Sequence, residues 1–106
     1  MRVLLDECVP RPLRTHFPSH DVRTIREMGW AGKKNGELLA LMAADGLEVL
    51  LTVDRNLRFQ QNLAANGVAV VIMVAATNRL PDLIPTVPAV EAALAVIRPG
   101  DAVEVS

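Results

Sequence analysis

The chain has little of what several protein classes require. Its 106 residues include one cysteine, Cys8, so no internal disulfide can form, and only 3% are aromatic. No apolar run approaches the roughly 20 residues that span a bilayer, and no signal-peptide pattern is visible. Acidic and basic side chains nearly balance, 12 against 11, which excludes a globally basic nucleic-acid binder. We therefore expect a cytoplasmic protein without a membrane segment, in which any nucleic-acid contact is local.

Apolar side chains are plentiful. Hydrophobic residues make up 51% of the chain and charged residues 22%, which is enough apolar surface to fold without a disulfide or a structural metal. The length suits one compact domain. We predict a single domain over residues 1–106.

Aliphatic runs alternate with helical patterns along the chain. The predicted strands are Arg2–Leu5, His20–Ile25, Glu48–Thr52, Val68–Val74 and Ala102–Val105. Helices are predicted after Pro10, over 36–45 with Asn35 as N-cap, over 57–66, and through Val90 to Ile97. Such alternation favours an α/β fold. We predict a three-layer α/β/α arrangement with a mostly parallel sheet of four to five strands and an order beginning 2-1-3-4.

Carboxylates follow the first and third predicted strands. Asp6 and Glu7 end strand one, and Asp54 follows strand three. In the predicted order the winding direction reverses between these strands, and ligands bind at such a switch point. Converging carboxylates repel one another unless a cation neutralises them, and Mg²⁺ or Mn²⁺ prefers oxygen ligands. Asp6 and Asp54 are thus candidate metal ligands and catalytic groups, with Glu37 as the third acid.

Structural roles compete with this interpretation. Asp6 is equally the type of residue that caps a following helix, and Asp54 the type that initiates a turn. Glu37 suits a solvated position in a first helical turn, where the helix dipole favours an acid. Glu7, adjacent to Asp6, suits a salt-bridge or capping partner.

Five segments in order resemble the small PIN-like domains, and more closely the compact group related to the carboxyl-terminal PIN domain of Mut7-type proteins. The segments are Leu4–Pro10, His20–Thr24, Gly29–Gly32, Asn35–Ala40 and Leu51–Leu57. The resemblance implies an α/β nuclease that holds Mg²⁺ or Mn²⁺ with acids and cuts single-stranded RNA. It also implies, as in many bacterial members, a toxin neutralised by a cognate antitoxin, and a homodimer. Asp6 matches the first-strand acid of the family, and Asp54 lies in its Thr-x-Asp motif.

The chain departs from the family pattern at two positions. Asn35 and Asn56 stand where the compact group usually has aspartate. Asparagine keeps an oxygen but removes a charge, which weakens cation binding unless Glu7 or Glu37 compensates. A catalytically degenerate module that binds RNA or a protein partner is therefore an alternative to an active ribonuclease.

Basic residues flank the predicted acidic crevice and are candidates for contacts with RNA phosphates. They are Arg11, Arg14, Lys33, Lys34, Arg55 and Arg58. The competing interpretation is a solvated surface.

A phosphoacceptor receiver-like domain is a further alternative, since receivers share the predicted strand order and also carry an acid pair after strand one and an acceptor Asp after strand three. Receivers need a lysine after strand five, however, and this chain has no lysine after Lys34.

Overall fold

The computed structural model of the chain describes residues 1–56 and 63–106. One five-stranded parallel sheet runs through them in the order β2-β1-β3-β4-β5. Its strands are β1 (Arg2–Leu5), β2 (Asp21–Thr24), β3 (Val49–Thr52), β4 (Ala69–Met73) and β5 (Ala102–Val105). The α-helices in the described ranges are α1 (Asn35–Asp45), α2 (Leu63–Asn66), α3 (Leu80–Leu83) and α4 (Val87–Leu94). The predicted α/β class, parallel sheet and strand order are confirmed.

Strand position explains strand composition. β3 and β4 lie inside the sheet, and every residue of both is buried, as expected for continuous aliphatic strands with neighbours on both sides. β2 lies at the edge and alternates exposed Asp21 and Arg23 with half-buried Val22 and Thr24. The outermost position of β2 therefore accounts for its alternation of exposed and half-buried residues.

Alternate side chains along the strands enter two separate hydrophobic clusters. The first cluster joins one set of strand residues, such as Leu51, to Leu13, Phe17, Val90 and other side chains of the 3-10 helix Arg11–His16 and of α3 and α4. The second joins the other set, such as Leu50, to the buried side of α1 and to Leu63 of α2. The sheet thus supplies apolar side chains to both clusters because successive residues of a strand point in opposite directions.

Several local predictions need correction. Asn35 is the first residue of α1 rather than its N-cap, which is Lys34; the side chain of Asn35 lies outside the described part. The segment after Pro10 forms a 3-10 helix, Arg11–His16, with hydrogen bonds from Leu13 N–H to Pro10 O and from Phe17 N–H to Arg14 O. The predicted 57–66 helix falls mostly outside the described residues, which include only its end in α2.

Helical structure that was not predicted lies within residues 75–88, between the predicted strand Val68–Val74 and the predicted helix through Val90. This segment holds α3, the 3-10 helix Ile84–Thr86 and the start of α4. Prolines in the first turn of these helices cost no hydrogen bond there. Among the described residues, no helix has the length and apolar character that a membrane span requires.

Candidate functional site

Parallel pairing brings the ends of β1 and β3 together. Leu5 lies opposite Leu51 in the register, and the Asp6 N–H donates to the carbonyl of Leu51 at 3.0 Å. The residues that follow both strands therefore lie at the same edge of the sheet, the one formed by the carboxyl ends of the parallel strands. This is the switch point, since β2 lies on one side of β1 and β3 on the other.

The Thr52 hydroxyl links the two aspartates predicted from the sequence. Thr52 is fully buried, and its hydroxyl donates to Asp6 Oδ2 at 2.7 Å. The hydroxyl oxygen of Thr52 also accepts a hydrogen bond from the backbone N–H of Asp54 at 3.1 Å. One buried side chain thus orients the Asp6 carboxylate and the backbone that carries Asp54.

Backbone amides hold the remaining carboxylate oxygens. Asp6 Oδ1 accepts the N–H of Glu7 at 2.8 Å, and Asp54 Oδ1 accepts the N–H of Asn56 at 3.0 Å. Both aspartates are half-buried, and Asn56 is exposed. Short-range bonds of this kind are typical of Asx turns, so the structural roles weighed for Asp6 and Asp54 are also present. A carboxylate has about four lone-pair sites, and sites for a further ligand remain on both groups.

The other predicted acids have partners of their own. Glu7 Oε1 accepts the Gly32 N–H at 3.1 Å, which ties the loop before α1 to the end of β1. Glu37 lies in the first turn of α1, 56% exposed, with its Oε2 3.7 Å from the ammonium nitrogen of Lys33. Over residues 1–56 and 63–106, no three His, Cys, Asp or Glu side chains are grouped to share an ion. The structure therefore does not unite Glu37 with Asp6 and Asp54.

Within the described part of the chain, positive charge does not neutralise the two aspartates. No arginine or lysine of the described ranges forms an ion pair with Asp6 or Asp54. The donors to their carboxylates are neutral, a hydroxyl and backbone amides. Neutral donors orient a carboxylate without cancelling its charge, so the linked pair retains its attraction for a cation.

This donor set suits a hydrated divalent ion. Mg²⁺ usually keeps several waters and binds through one or two carboxylates together with a substrate phosphate. Asp6 and Asp54 supply two carboxylates, and Thr52 is the kind of outer hydrogen-bond partner that orients a metal ligand. The residues present therefore fit such an ion, with two protein carboxylates rather than the three expected.

The predicted RNA-binding residues divide into two groups. Three are engaged in ion pairs: Arg14 with Glu27, Lys33 with Glu37, and Arg55 with Glu104. Arg11 and Lys34 are exposed and form no ion pair within the described segments. Arg58 lies outside the described residues.

Two polar residues received no role in the sequence analysis. Thr52 belongs to the Thr-x-Asp motif, yet nothing in the sequence marked its hydroxyl as the link between two strands. Asn78 donates its amide to the carbonyl of Cys8 at 2.9 Å and so joins the loop after β4 to the loop after β1. It stands 70 residues from Cys8, and no sequence signal indicates this contact.

The thiol of Cys8 lies at the same edge, with Sγ 3.7 Å from the Thr52 hydroxyl oxygen. Burial raises the pKa of the Cys8 thiol. The thiol is therefore protonated near neutral pH and is a weak nucleophile.

Comparison of the chain with protein-family models, with curated proteins and with solved structures found no match.

Proposed function

We propose that the chain is a PIN-like domain with a three-layer α/β/α arrangement that acts as a Mg²⁺- or Mn²⁺-dependent ribonuclease on single-stranded RNA. The observation that carries the proposal is the pair Asp6 and Asp54, joined through the buried Thr52 hydroxyl without a cationic partner in the described ranges. The resemblance of the sequence to PIN-like domains supplies the choice of reaction.

Each residue has a role in this proposal. Asp6 and Asp54 hold the ion, and Thr52 keeps the Asp6 carboxylate in place. A divalent ion bound there supplies an activated water and stabilises charge on the phosphoryl oxygens. Among the basic residues predicted to contact RNA, Arg11 and Lys34 are exposed, form no ion pair in the described ranges and can contact the RNA backbone.

A degenerate binding module is the second candidate. The observation that favours it is the lack, over the described residues, of a third acid near the pair, together with Asn35 and Asn56 where the compact group usually has aspartate. Such a module binds RNA or a protein partner and does not cleave RNA. A cognate antitoxin and a homodimer remain predictions under both candidates.

Manganese titration followed by thermal unfolding tests the proposal. We expect Mn²⁺ at about 100 times its Kd to stabilise the wild-type chain by about 2.7 kcal/mol, which raises Tm by roughly 10 °C or more. Asp6→Asn and Asp54→Asn, which preserve side-chain shape, should remove the increase. Asp21→Asn is the matched control. Asp21 is the first residue of β2 and therefore lies at the edge formed by the amino ends of the strands, opposite Asp6 and Asp54.

The same samples are then incubated with single-stranded RNA. Metal-dependent cleavage that disappears in both site variants supports the ribonuclease. If Mn²⁺ does not change the Tm and the RNA stays intact, the ribonuclease proposal is rejected in favour of the binding module. Incubation with acetyl phosphate separates the receiver alternative, since a covalent phosphate on Asp54 in the intact mass would overturn the nuclease.

A further inference from the structure

A cavity of about 410 Å³ opens beside Asp6, on the side of β1 that faces β2. Its walls are the loop after β1, through Arg11, and the turn after β2, through Glu27. The crevice predicted from the sequence lies between β1 and β3, so this cavity is an addition to the predicted site. Its volume lies within the roughly 300–1,000 Å³ typical of small-ligand pockets.

The cavity has an apolar floor. Leu5, Val9 and Ile25 line it, and each is otherwise nearly fully buried. Pro10 adds an apolar wall. An apolar surface of this kind, bounded by polar groups, accepts the flat face of a ring.

One wall is held rigid by a reciprocal hydrogen-bond pair. The Thr24 N–H donates to Glu27 Oε1 at 2.7 Å, and the Glu27 N–H donates to the Thr24 hydroxyl oxygen at 3.2 Å. Arg14 lies 3.3 Å from both carboxylate oxygens of Glu27. Arg14 therefore pairs with a residue of this wall, and its guanidinium group is engaged there.

The charged groups around the cavity are not equally engaged. The three acids have partners: Asp6 accepts from Thr52, Glu7 from Gly32, and Glu27 from Thr24 and Arg14. Arg11 and Arg26, both exposed, have no ion-pair or hydrogen-bond partner for their guanidinium groups in the described ranges. Of the three acids, Glu27 is paired with Arg14, whereas Asp6 and Glu7 accept from neutral donors and keep their negative charge. The guanidinium groups of Arg11 and Arg26 are therefore available at the rim to bind a phosphate group.

We propose that this cavity binds one nucleotide of the RNA, with the base on the floor formed by Leu5, Val9 and Ile25 and the phosphate at Arg11 and Arg26. Arginine contacts phosphates and stacks on bases. Asp6 lines this cavity and is also one of the two aspartates of the proposed metal site. A nucleotide bound in the cavity would therefore bring an adjoining phosphate to that site. The choice of ligand rests on the proposed function; the cavity, its floor and its charge pattern do not.

Nucleotide binding without metal tests the inference independently of catalysis. The full chain is titrated with uridine and adenosine monophosphate and with a short single-stranded oligoribonucleotide in the presence of EDTA, and binding is followed by amide chemical shifts and calorimetry. Arg11→Gln and Arg26→Gln should each weaken binding about tenfold, the loss expected for one charged hydrogen bond. Arg98→Gln, the same change after α4 and far along the chain from both walls, should bind like the wild type. Both arginines are exposed, so folding should survive the substitutions.

The outcomes separate this inference from the proposed function. Weakened binding in both cavity variants, with shifts at residues 5–11 and 24–27, supports the nucleotide site whether or not Mn²⁺ binds. A different result would overturn the nucleotide site but not the proposed nuclease activity. In that result both variants cleave RNA normally with metal, and added nucleotide changes the amide chemical shifts of other residues. Equal weakening in Arg98→Gln would show general charge attraction and would also overturn it.

Discussion

Acidic side chains have different partners at the two edges of the sheet, the edge where the parallel strands begin and the edge where they end. At the edge where the strands begin, Asp21 receives Arg23 at 2.8 Å and Arg2 at 3.5 Å, and Arg2 also lies 3.2 Å from Asp45. At the edge where the strands end, Asp6 and Asp54 accept from neutral donors only, within the described ranges.

The chemical consequence differs accordingly. Arginine neutralises Asp21 and Asp45 at the first edge, and such exposed pairs add little to stability. Neutral donors at the second edge fix the carboxylates and leave their charge available. The donors around an acid, more than the acid itself, therefore distinguish a surface ion pair from a candidate cation site.

The largest expected effect comes from removing a carboxylate charge at the edge where the strands end. Asp6→Asn or Asp54→Asn should lower metal-dependent RNA cleavage by more than about a hundredfold, because loss of a mere outer partner of a metal ligand already costs roughly 10–100-fold. Single-turnover cleavage at saturating Mn²⁺ measures the loss. Asp21→Asn, the counterpart at the other edge, should cleave at the wild-type rate; a comparable loss there would erase the distinction between the edges.

A smaller effect is expected from the link between the two aspartates. Thr52→Val keeps the shape but removes the hydroxyl that donates to Asp6 and accepts from Asp54. Mn²⁺ affinity should fall roughly 10–100-fold, and the free energy of unfolding should drop by about 1–3 kcal/mol because buried polar groups lose a partner. Calorimetry and urea unfolding measure the two quantities.

Thr52→Ser provides the control for that experiment. Serine retains the hydroxyl and should recover most of the Mn²⁺ affinity. If valine bound Mn²⁺ as tightly as threonine, the hydroxyl would not be what orients Asp6.

The smallest effect belongs to the ion pairs where the strands begin. The hydrogen bond from Arg23, followed by the charges of Arg23 and Arg2, lowers the pKa of Asp21. Because the folded-state pKa lies below the unfolded one, Asp21 contributes stability above its usual titration range, and the contribution disappears as pH falls through the folded-state value. Urea midpoints of wild type and Asp21→Asn should differ slightly at about pH 6 and converge near about pH 2. Added salt should reduce the difference at pH 6; a gap that widens in acid would contradict the assignment.

The strands could be predicted from the sequence because each carries an aliphatic or an alternating pattern, which is weakest in the last strand. The aliphatic run Val68–Val74 contains β4, and the predicted Ala102–Val105 coincides with β5. The helical structure in segment 75–88 was not predicted, and this segment contains Pro81, Pro85 and Pro88. Each of these prolines occupies the first turn of a helix, where its missing N–H has no partner to lose.

The site was predictable in part for a related reason. Strand order places the residues after β1 and β3 side by side, and the alternation of strands and helices predicts that order. The ion pair of Glu37 with Lys33 was not predicted, because an exposed acid in a first helical turn has two plausible orientations and the sequence does not choose between them.

The sequence alone determined the parallel α/β arrangement and the edge at which Asp6 and Asp54 lie, because hydrophobic periodicity and strand order act through local and topological rules. Tertiary structure decided which donors reach those acids and that Thr52 bridges them. It also decided that a cavity opens toward β2 instead of β3, lined by arginines that have no ion pair within residues 1–56 and 63–106. Hydrogen bonds and ion pairs depend on distances of a few ångströms between segments far apart in the chain, and no residue pattern encodes such distances.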